Sequence, residues 1–405
     1  MNTHPEILHS CPGCRSSQIT VLNAKKEYRV FVVDGEEMDV TIGLAGCEEC
    51  GLTFLNPKMP MKQLFSYYSK QSRIPRSEIN ASSPFSQQMD IQVNFISKFI
   101  DLQDGMKVLE IGCAEGFFLK KIKEISRKNL FLSGVELSKK YLEQAKKIIP
   151  EATLYSEALE TADFGQQKFD VIVLRHVFEH LSDPSGALHK IREHLAPQGV
   201  LYIEVPDAKN INVQLCSFYH HEHLLYFTTE ILDNYFASHG LSTKVCERFE
   251  RNPKGSGFDY PVIRAISKPG EIKALKKYPG HAAKVYADNM LRINSTLNTM
   301  LSPIKAHLNK CREENKKVAL FGAGPHTMEV MAMIEDLKID WMLIFDNNPH
   351  KHGKKMRNIP IVKPTEETMK QVDSILVSSA DFEREMVEQI KTLSPSMDII
   401  KIYHQ

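Results

Sequence analysis

The chain has 405 residues, with 51 Lys and Arg against 50 Asp and Glu, a formal charge of +1 and 42% hydrophobic residues. That length exceeds what one hydrophobic core usually supports, so two or three domains are expected. Near-neutrality gives no footprint for a nucleic-acid backbone and no polybasic membrane patch. No apolar run approaches the roughly 18 residues of a membrane span, and the first residues lack a basic segment followed by an apolar one, so a cytoplasmic protein with neither nucleic-acid nor membrane partners is expected.

Cysteines come first along the chain. Cys11, Cys14, Cys47 and Cys50 form two C-x-x-C pairs, whereas Cys113, Cys216, Cys246 and Cys311 are scattered as free thiols of a reducing compartment would be. Each pair offers two thiolates on a tight turn, half of a tetrahedral Zn²⁺ shell. Between the pairs, Tyr28 to Val32 and Met38 to Ile42 alternate apolar and polar residues, and Asp34 with Gly35 supplies a hairpin turn. The spacing predicts a zinc ribbon over residues 1–60, in which a closed four-sulfur site is structural and leaves no position for activating water. A redox dithiol is the rival reading, but it calls for one reactive pair beside a βαβ unit.

Residues 61–268 alternate helical and strand patterns. Strands are expected at Lys107 to Ile111, Leu130 to Val135, Phe169 to Leu174, Val200 to Val205 and Lys244 to Phe249, with a last one at Pro261 to Ser267. This alternation implies a mostly parallel, doubly wound α/β sheet that takes ligands at the carboxyl ends of its strands. Gly112, Ala114 and Gly116 end the first strand in a glycine turn, and Glu136 stands at the end of the second, where a carboxylate accepts from ribose hydroxyls. A tight turn in a cofactor-free βαβ unit is the alternative. The spacing does not fit the G-x-G-x-x-G of a dehydrogenase.

After the strand ending at Pro206, the segment Phe218 to Thr228 holds Tyr219, His220, His221, Glu222, His223 and Tyr226. Such a density of titratable groups suits general acid–base work. A metal site crowded onto one short segment, or packing at the start of the following helix, remain open.

These residues resemble the class I S-adenosylmethionine-dependent methyltransferases. The likeness rests on Glu110-x-Gly112-x-Ala114-x-Gly116, Glu136-Leu137, Phe169-Asp170-Val171-Ile172, Arg175-His176-Val177-Phe178-Glu179-His180-Leu181 and Gly199 to Pro206, in that order over about half the chain. The resemblance implies that Glu110, Gly112, Ala114 and Gly116 line the methionine portion of S-adenosylmethionine, and that Glu136 and Leu137 hold the ribose. It also implies that Ala158 and Leu159 flank adenine and that Arg175, His176 and His180 close the pocket. For His176 and His180, four apart, a satisfied helix-start pair is equally open.

Glu222-His223 followed by Tyr226-Phe227 is similar to the active-site segment of the zinc-containing sugar C-methyltransferases, which act on nucleotide-linked 4-keto-deoxysugars. His220 stands where that group has tyrosine, and Tyr219 lies one residue earlier. The resemblance implies His223 as the base, oriented by Glu222, with His220, His221 or Tyr219 steadying an enolate. Asn252 to Gly257 resembles that group's Gly-Ser substrate loop. An O- or N-methyltransferase acting on another small polar metabolite is the alternative, the displaced tyrosine being the best argument for it. RNA modification, or nucleotide-sugar binding without catalysis, fits the neutral charge and the intact Glu110, Gly112 and Glu136 less well.

Residues 269–315 read as a helical linker, one long helix with a break at Pro303 and a possible dimer seam. In residues 316–405, a second glycine turn at Gly322-Ala323-Gly324 follows a strand, Asp346 ends the next, and further strands fall at Ile359 to Val362 and Ser374 to Ser379. This predicts a small Rossmann-like domain similar to nucleotide-sugar domains, whose glycine turn either carries a diphosphate or merely shapes the cleft. The oligomeric state is open.

Overall fold

The computed structural model describes residues 4–22, 26–31, 37–70, 83–209, 211, 218–251, 260–379 and 382–403. Its N-terminal part contains β1 (Ile19–Val21), β2 (Lys26–Phe31), β3 (Glu37–Ile42), β4 (Leu44–Cys47) and β5 (Thr53–Leu55). Among the described residues, β2 and β3 pair with each other as an antiparallel pair, while β1, β4 and β5 belong to a separate antiparallel sheet. Asp34 and Gly35, the expected turn, lie outside the described residues, as do Cys216 and the loop from Asn252 to Gly257. This small sheet has no core to itself. Cys11, Leu44, Phe54 and Leu55 belong to one buried cluster with Leu109, Leu174 and Phe227 of the central domain.

α1 (Met61–Lys70) and α2 (Pro84–Ile96) lead into the central domain: β6 (Lys107–Ile111), α3 (Phe117–Ser126), β7 (Phe131–Val135), α4 (Lys139–Ile148), β8 (Thr153–Tyr155), β9 (Phe169–Arg175), α5 (Pro184–His194), β10 (Leu195–Pro206), β11 (Leu225–Tyr226), α6 (Thr229–Ser238), β12 (Leu241–Arg251) and β13 (Tyr260–Pro269). Helix starts follow local chemistry: Asp183 accepts from the Gly186 N–H with Pro184 in the first turn, and Thr228 accepts from the Ile231 N–H. In the sheet, ordered β12-β13-β10-β9-β6-β7-β8, side chains alternate between faces. Leu109, Ile111, Ile172, Leu174 and Ile203 pack toward the ribbon side, whereas Val108, Val171, Val173 and Tyr202 pack under α2 and α3. Burial on both faces explains why the central strands are continuously apolar.

The sheet is mixed rather than purely parallel. β8, β7, β6, β9 and β10 run parallel, but β13 is antiparallel to both β10 and β12. β12 and β13 thus form a long terminal hairpin, extending beyond the expected Lys244–Phe249 and Pro261–Ser267 because cross-strand bonding continues past the apolar residues. β8, short and half exposed, carried no apolar run to reveal it.

α7 (His281–Glu313) starts directly after Pro279-Gly280, just ahead of the apolar pattern that opens at Val285, and runs unbroken through Pro303. A proline removes a single donor, and Leu301, Ile304 and Leu308 beside it are buried against the C-terminal domain. Its first turns, through Ala282 and Tyr286, pack on the ribbon and central domain instead.

The C-terminal domain comprises β14 (Val318–Phe321), α8 (Pro325–Met333), β15 (Trp341–Phe345), β16 (Lys355–Met356), β17 (Ile359–Val362), α9 (Glu366–Met369), β18 (Ser374–Val377), α10 (Glu383–Leu393) and β19 (Asp398–Ile400). Its sheet, β16-β17-β15-β14-β18-β19, is parallel apart from the β16–β17 edge.

Candidate active site

The carboxyl ends of β6, β7 and β9 open into a cleft of about 480 Å³, with walls that include Tyr68, Gly112, Ala114, Glu136, Leu137, Ala158, Leu159, Arg175, His176, His180 and Glu222. Gly112 turns the chain at φ +72°, and a Cβ there would meet Val177 Cγ2 at 2.4 Å, so the turn tolerates no side chain. Glu136 Oε2 accepts from the Ala114 N–H at 3.1 Å and Oε1 from the Ser138 N–H at 2.8 Å. Burial raises its pKa, with these backbone donors working in the opposite direction. A carboxylate at a strand end beside apolar Leu137 and Leu159 suits a ribose diol and an adenine ring, so the donor set fits S-adenosylmethionine.

Two residues expected at the cofactor do not line the cleft. Gly116 caps α3 from behind, with a Cβ there meeting Ile149. Glu110 lies fully buried beneath the floor, where one oxygen receives both Nε (3.0 Å) and Nη2 (2.8 Å) of Arg175. Burial still pushes its pKa up to about 7, with Arg175 pulling the other way. Glu110 therefore acts on the cleft by holding Arg175, whose guanidinium also covers the Phe118 ring at 4.3 Å.

The histidine segment is held from two sides. β11 pairs antiparallel with β5 of the ribbon, and the Leu55 N–H donates to the Leu224 carbonyl. From the other side, α1 supplies two tyrosines: the Tyr67 hydroxyl donates to Glu222 Oε1 at 2.5 Å, and the Tyr68 hydroxyl lies 3.2 Å from His180 Nδ1. His180 Nδ1 also donates to the Glu222 carbonyl at 2.7 Å.

The Glu222 carboxylate, expected to orient His223, instead accepts from Tyr67 and lies 3.8 Å from His221 Nε2. The carboxylate facing His223 Nε2, at 4.0 Å, is Glu179. His223 is 8% exposed and sits behind Glu222 and His180, its ring 3.9 Å from that of His220. Burial, reinforced by His220, His180 and His176, pushes its pKa well below the usual imidazole range. His221 is likewise lowered by burial, to about 4, and packs edge-on against Tyr67. Tyr219 turns away toward α7, edge-on against Tyr226 and tilted against Tyr286, and burial raises its pKa. It does not line the cleft.

The strongest unpredicted feature is a chain of buried charges. His176 has φ +54° and sits between Glu204 (Nε2 to Oε1, 3.2 Å) and Glu179 (Nδ1 to Oε1, 3.4 Å). Burial opposes its charge, but the two carboxylates prevail and raise its pKa. Burial also opposes ionisation of Glu204, yet hydrogen bonds from His176, Tyr202 and Gln92 bring it down to about 2. Glu179 was readable in the sequence as the acid three residues after His176. Tyr67 and Tyr68 carried no comparable signal.

At the ribbon, one sulfur from each of the four cysteines lies within 4.8 Å of all the others, with Cys11–Cys50 at 3.6 Å and Cys14–Cys47 at 3.5 Å. Tetrahedral Zn²⁺ at about 2.3 Å from sulfur separates its ligands by about 3.8 Å, so the set fits a closed zinc site. The Tyr235 hydroxyl lies 3.1 Å from Cys50 Sγ and fills the space beside Gly13, where no Cβ could stand.

In the C-terminal domain the glycine turn repeats the arrangement of the first: Asp346 accepts from the Ala323 N–H at 2.7 Å and the Asn348 N–H at 2.8 Å. Unlike Glu136, Asp346 also receives an ammonium, Lys351 Nζ at 3.0 Å.

Residues 85–244 match the family model for a methyltransferase domain, and residues 314–401 match a model described as C2185-like, N-terminal. Curated relatives include a ubiquinone biosynthesis O-methyltransferase of Pasteurella multocida (strain Pm70), 27% identical over 133 residues, covering 29% of this chain and 54% of the relative. A tRNA U34 carboxymethyltransferase of Campylobacter hominis is 35% identical over 121 residues, covering 28% of this chain and 40% of the relative. The chain spans about half the length of the curated relatives it matches. Among solved structures, an N-methyltransferase from Bradyrhizobium japonicum WM9 aligns with TM-score 0.36 and 16% identity, covering 47% of this chain and 100% of that one. No described helix is long and apolar enough to cross a membrane. Family match and cleft chemistry agree: the central part of this chain is a class I S-adenosylmethionine-dependent methyltransferase domain.

Proposed function

We propose that the whole chain is a methyltransferase acting on a nucleotide-activated keto-deoxysugar, transferring the methyl group to carbon with His223 as base. The observation that carries this reading is His223 itself: a buried imidazole of lowered pKa, next to the cleft walls Glu222 and His180. Such a group is neutral at neutral pH, with a lone pair available, and a nearby negative charge is what would let it hold the proton it takes. On this reading the four cysteines hold a structural Zn²⁺, and Gly322 to Gly324 carries the acceptor's diphosphate.

Bound S-adenosylmethionine supplies an electrophilic methyl on sulfonium. Gly112 and Ala114 underlie its methionine part, Glu136 and Leu137 hold the ribose, Ala158 and Leu159 flank adenine, and Arg175, His176 and His180 close the cleft. His223 removes a proton from the carbon beside the ketone, and the C–H electrons move to the ketone oxygen. Tyr68, on the cleft wall, is placed to donate to that oxygen. Glu222, fixed by Tyr67, orients the acceptor rather than the base.

A second reading, methylation at oxygen, is favoured by the relatives named as ubiquinone biosynthesis O-methyltransferases, and the same base would serve a hydroxyl. Incubating nucleotide sugars with enzyme and S-adenosylmethionine, followed by fragmentation mass spectrometry, separates the two. The expected product carries its new methyl on ring carbon. A His223→Ala enzyme that binds S-adenosylhomocysteine but washes no deuterium into the keto sugar supports the base, and undiminished exchange refutes it.

A further inference from the structure

Glu179 is 1% exposed, and among the described residues neither of its carboxylate oxygens has a hydrogen-bond donor at bonding geometry. A buried carboxylate left in that state is costly unless charge compensates it. Three imidazoles surround its Oε1: His176 Nδ1 at 3.4 Å, His180 Nε2 at 3.8 Å and His223 Nε2 at 4.0 Å. His180 is held in place by donating Nδ1 to the Glu222 carbonyl. His176 is held by its left-handed backbone, an unfavourable conformation for a side chain of its size, and by the bond from its N–H to the Glu204 carbonyl at 2.8 Å. Strain of this kind persists where the surroundings enforce it, and here it delivers an imidazole between two buried carboxylates.

We propose that Glu179 is the positioning residue of the base, with the Glu204–His176 pair set behind it to tune its charge. The inference rests on the proposed role of His223. When His223 takes the substrate proton, its C–H bond is exchanged for an N–H bond on the imidazole, and the positive charge forms 4.0 Å from Glu179. A carboxylate at that distance in a dry site stabilises the imidazolium by far more than it would in water. His176, which pairs with both Glu179 and Glu204, weakens that attraction and adds to the burial that keeps His223 neutral before the proton arrives. Glu222, the sequence neighbour of His223, faces Tyr67 and His221 instead.

The two substitutions carry opposite signs. The groups facing His223 are Glu179, His176 and His180 from the segment after β9, and His220, Phe218 and Tyr226 from its own loop and β11. Removing a negative charge from this set lowers the base's pKa, whereas removing a positive one raises it. The acid limb of the kcat/KM profile should therefore move to lower pH in Glu179→Gln, with kcat falling roughly 100-fold. In His176→Gln the same limb should move to higher pH. Glu179→Asp should recover part of the rate.

Calorimetry with S-adenosylhomocysteine on each full-length variant checks that the cleft remains intact. A structural role for Glu179 would lower activity without moving the limb. An unmoved limb in Glu179→Gln, or limbs that move in the same direction in both variants, overturns the inference. Its failure is separable from failure of the base assignment: if His223→Ala abolishes deuterium exchange while Glu179→Gln leaves the limb in place, His223 is the base and Glu179 is not its partner. Full exchange by His223→Ala removes both. Restored or enhanced activity of Glu179→Gln on adding Zn²⁺ or Mn²⁺ would count against it as well, since the pocket would then be acting as a metal site.

Discussion

The backbone N–H of Leu55 donates to the carbonyl of Leu224 at 2.9 Å, joining the last strand of the cysteine ribbon to the segment that carries Glu222 and His223. The four-cysteine cluster and the histidine segment are thereby tied to one small sheet. Whatever holds the ribbon also holds that segment.

Loss of the metal should therefore reach the chemistry through β5 and β11. Purified protein is expected to contain about one zinc per chain. Stripping it with a chelator should abolish methyl transfer, and Cys47→Ser should abolish soluble expression, because the cysteines share a core with the central domain. Elemental analysis checks the content. A metal-free protein with full activity would remove the ribbon assignment.

Glu136 is the residue on which donor binding should depend most. Its carboxylate already accepts two backbone N–H groups and still presents lone pairs to the cleft. Two charge-assisted bonds to ribose hydroxyls are worth about 2–3 kcal/mol together, so Glu136→Ala should weaken S-adenosylhomocysteine by roughly 30- to 150-fold in calorimetry. Unchanged affinity would place the nucleoside elsewhere.

Tyr67→Phe separates acceptor chemistry from donor binding. The lost hydroxyl leaves Glu222 without its donor on that oxygen, and the cost should appear in turnover, about 10- to 100-fold, with S-adenosylhomocysteine affinity kept. A parallel loss of cofactor affinity would show that α1 supports the whole cleft and not Glu222 alone.

The C-terminal domain should weaken in mild acid. His326 is half-buried, with Nδ1 3.1 Å from the Ser378 hydroxyl and Nε2 against the Tyr403 hydroxyl. Burial lowers its pKa from 6.5 to about 4. Above pH 6.5 neither folded nor unfolded chain binds this proton, so stability is complete. As pH falls from 6.5 toward 4, only the unfolded chain takes it up, and stability is lost by an amount approaching roughly 3 kcal/mol. Urea melts at pH 7 and pH 4.5 should show a smaller difference in His326→Gln than in the parent. An equal difference would assign the acid sensitivity elsewhere, His221 being the next group to test.

Much of the fold was legible because its signals are local. An apolar run such as Val171 to Leu174 must be buried on both faces, a glycine turn such as Gly112 needs positive φ, and two C-x-x-C pairs bring four thiolates into play at fixed spacing. The antiparallel hairpin of β12 and β13 was harder to read, since strand direction leaves no mark on side-chain alternation. The same holds for the passage of α7 through Pro303, which depends on what Leu301 and Ile304 pack against.

By itself, the sequence marked where the candidate groups lie along the chain: a cysteine quartet, a glycine turn followed by an acid, a dense histidine segment, and a second glycine turn followed by an acid. Only the tertiary structure decided who partners whom. Tyr67 reaches Glu222 across 155 positions, and Glu204 meets His176 from a neighbouring strand. Glu179, not Glu222, faces His223. The physical reason is that a buried charge is settled by whichever groups surround it in space, and spacing along the chain constrains only those within a turn or a strand of one another.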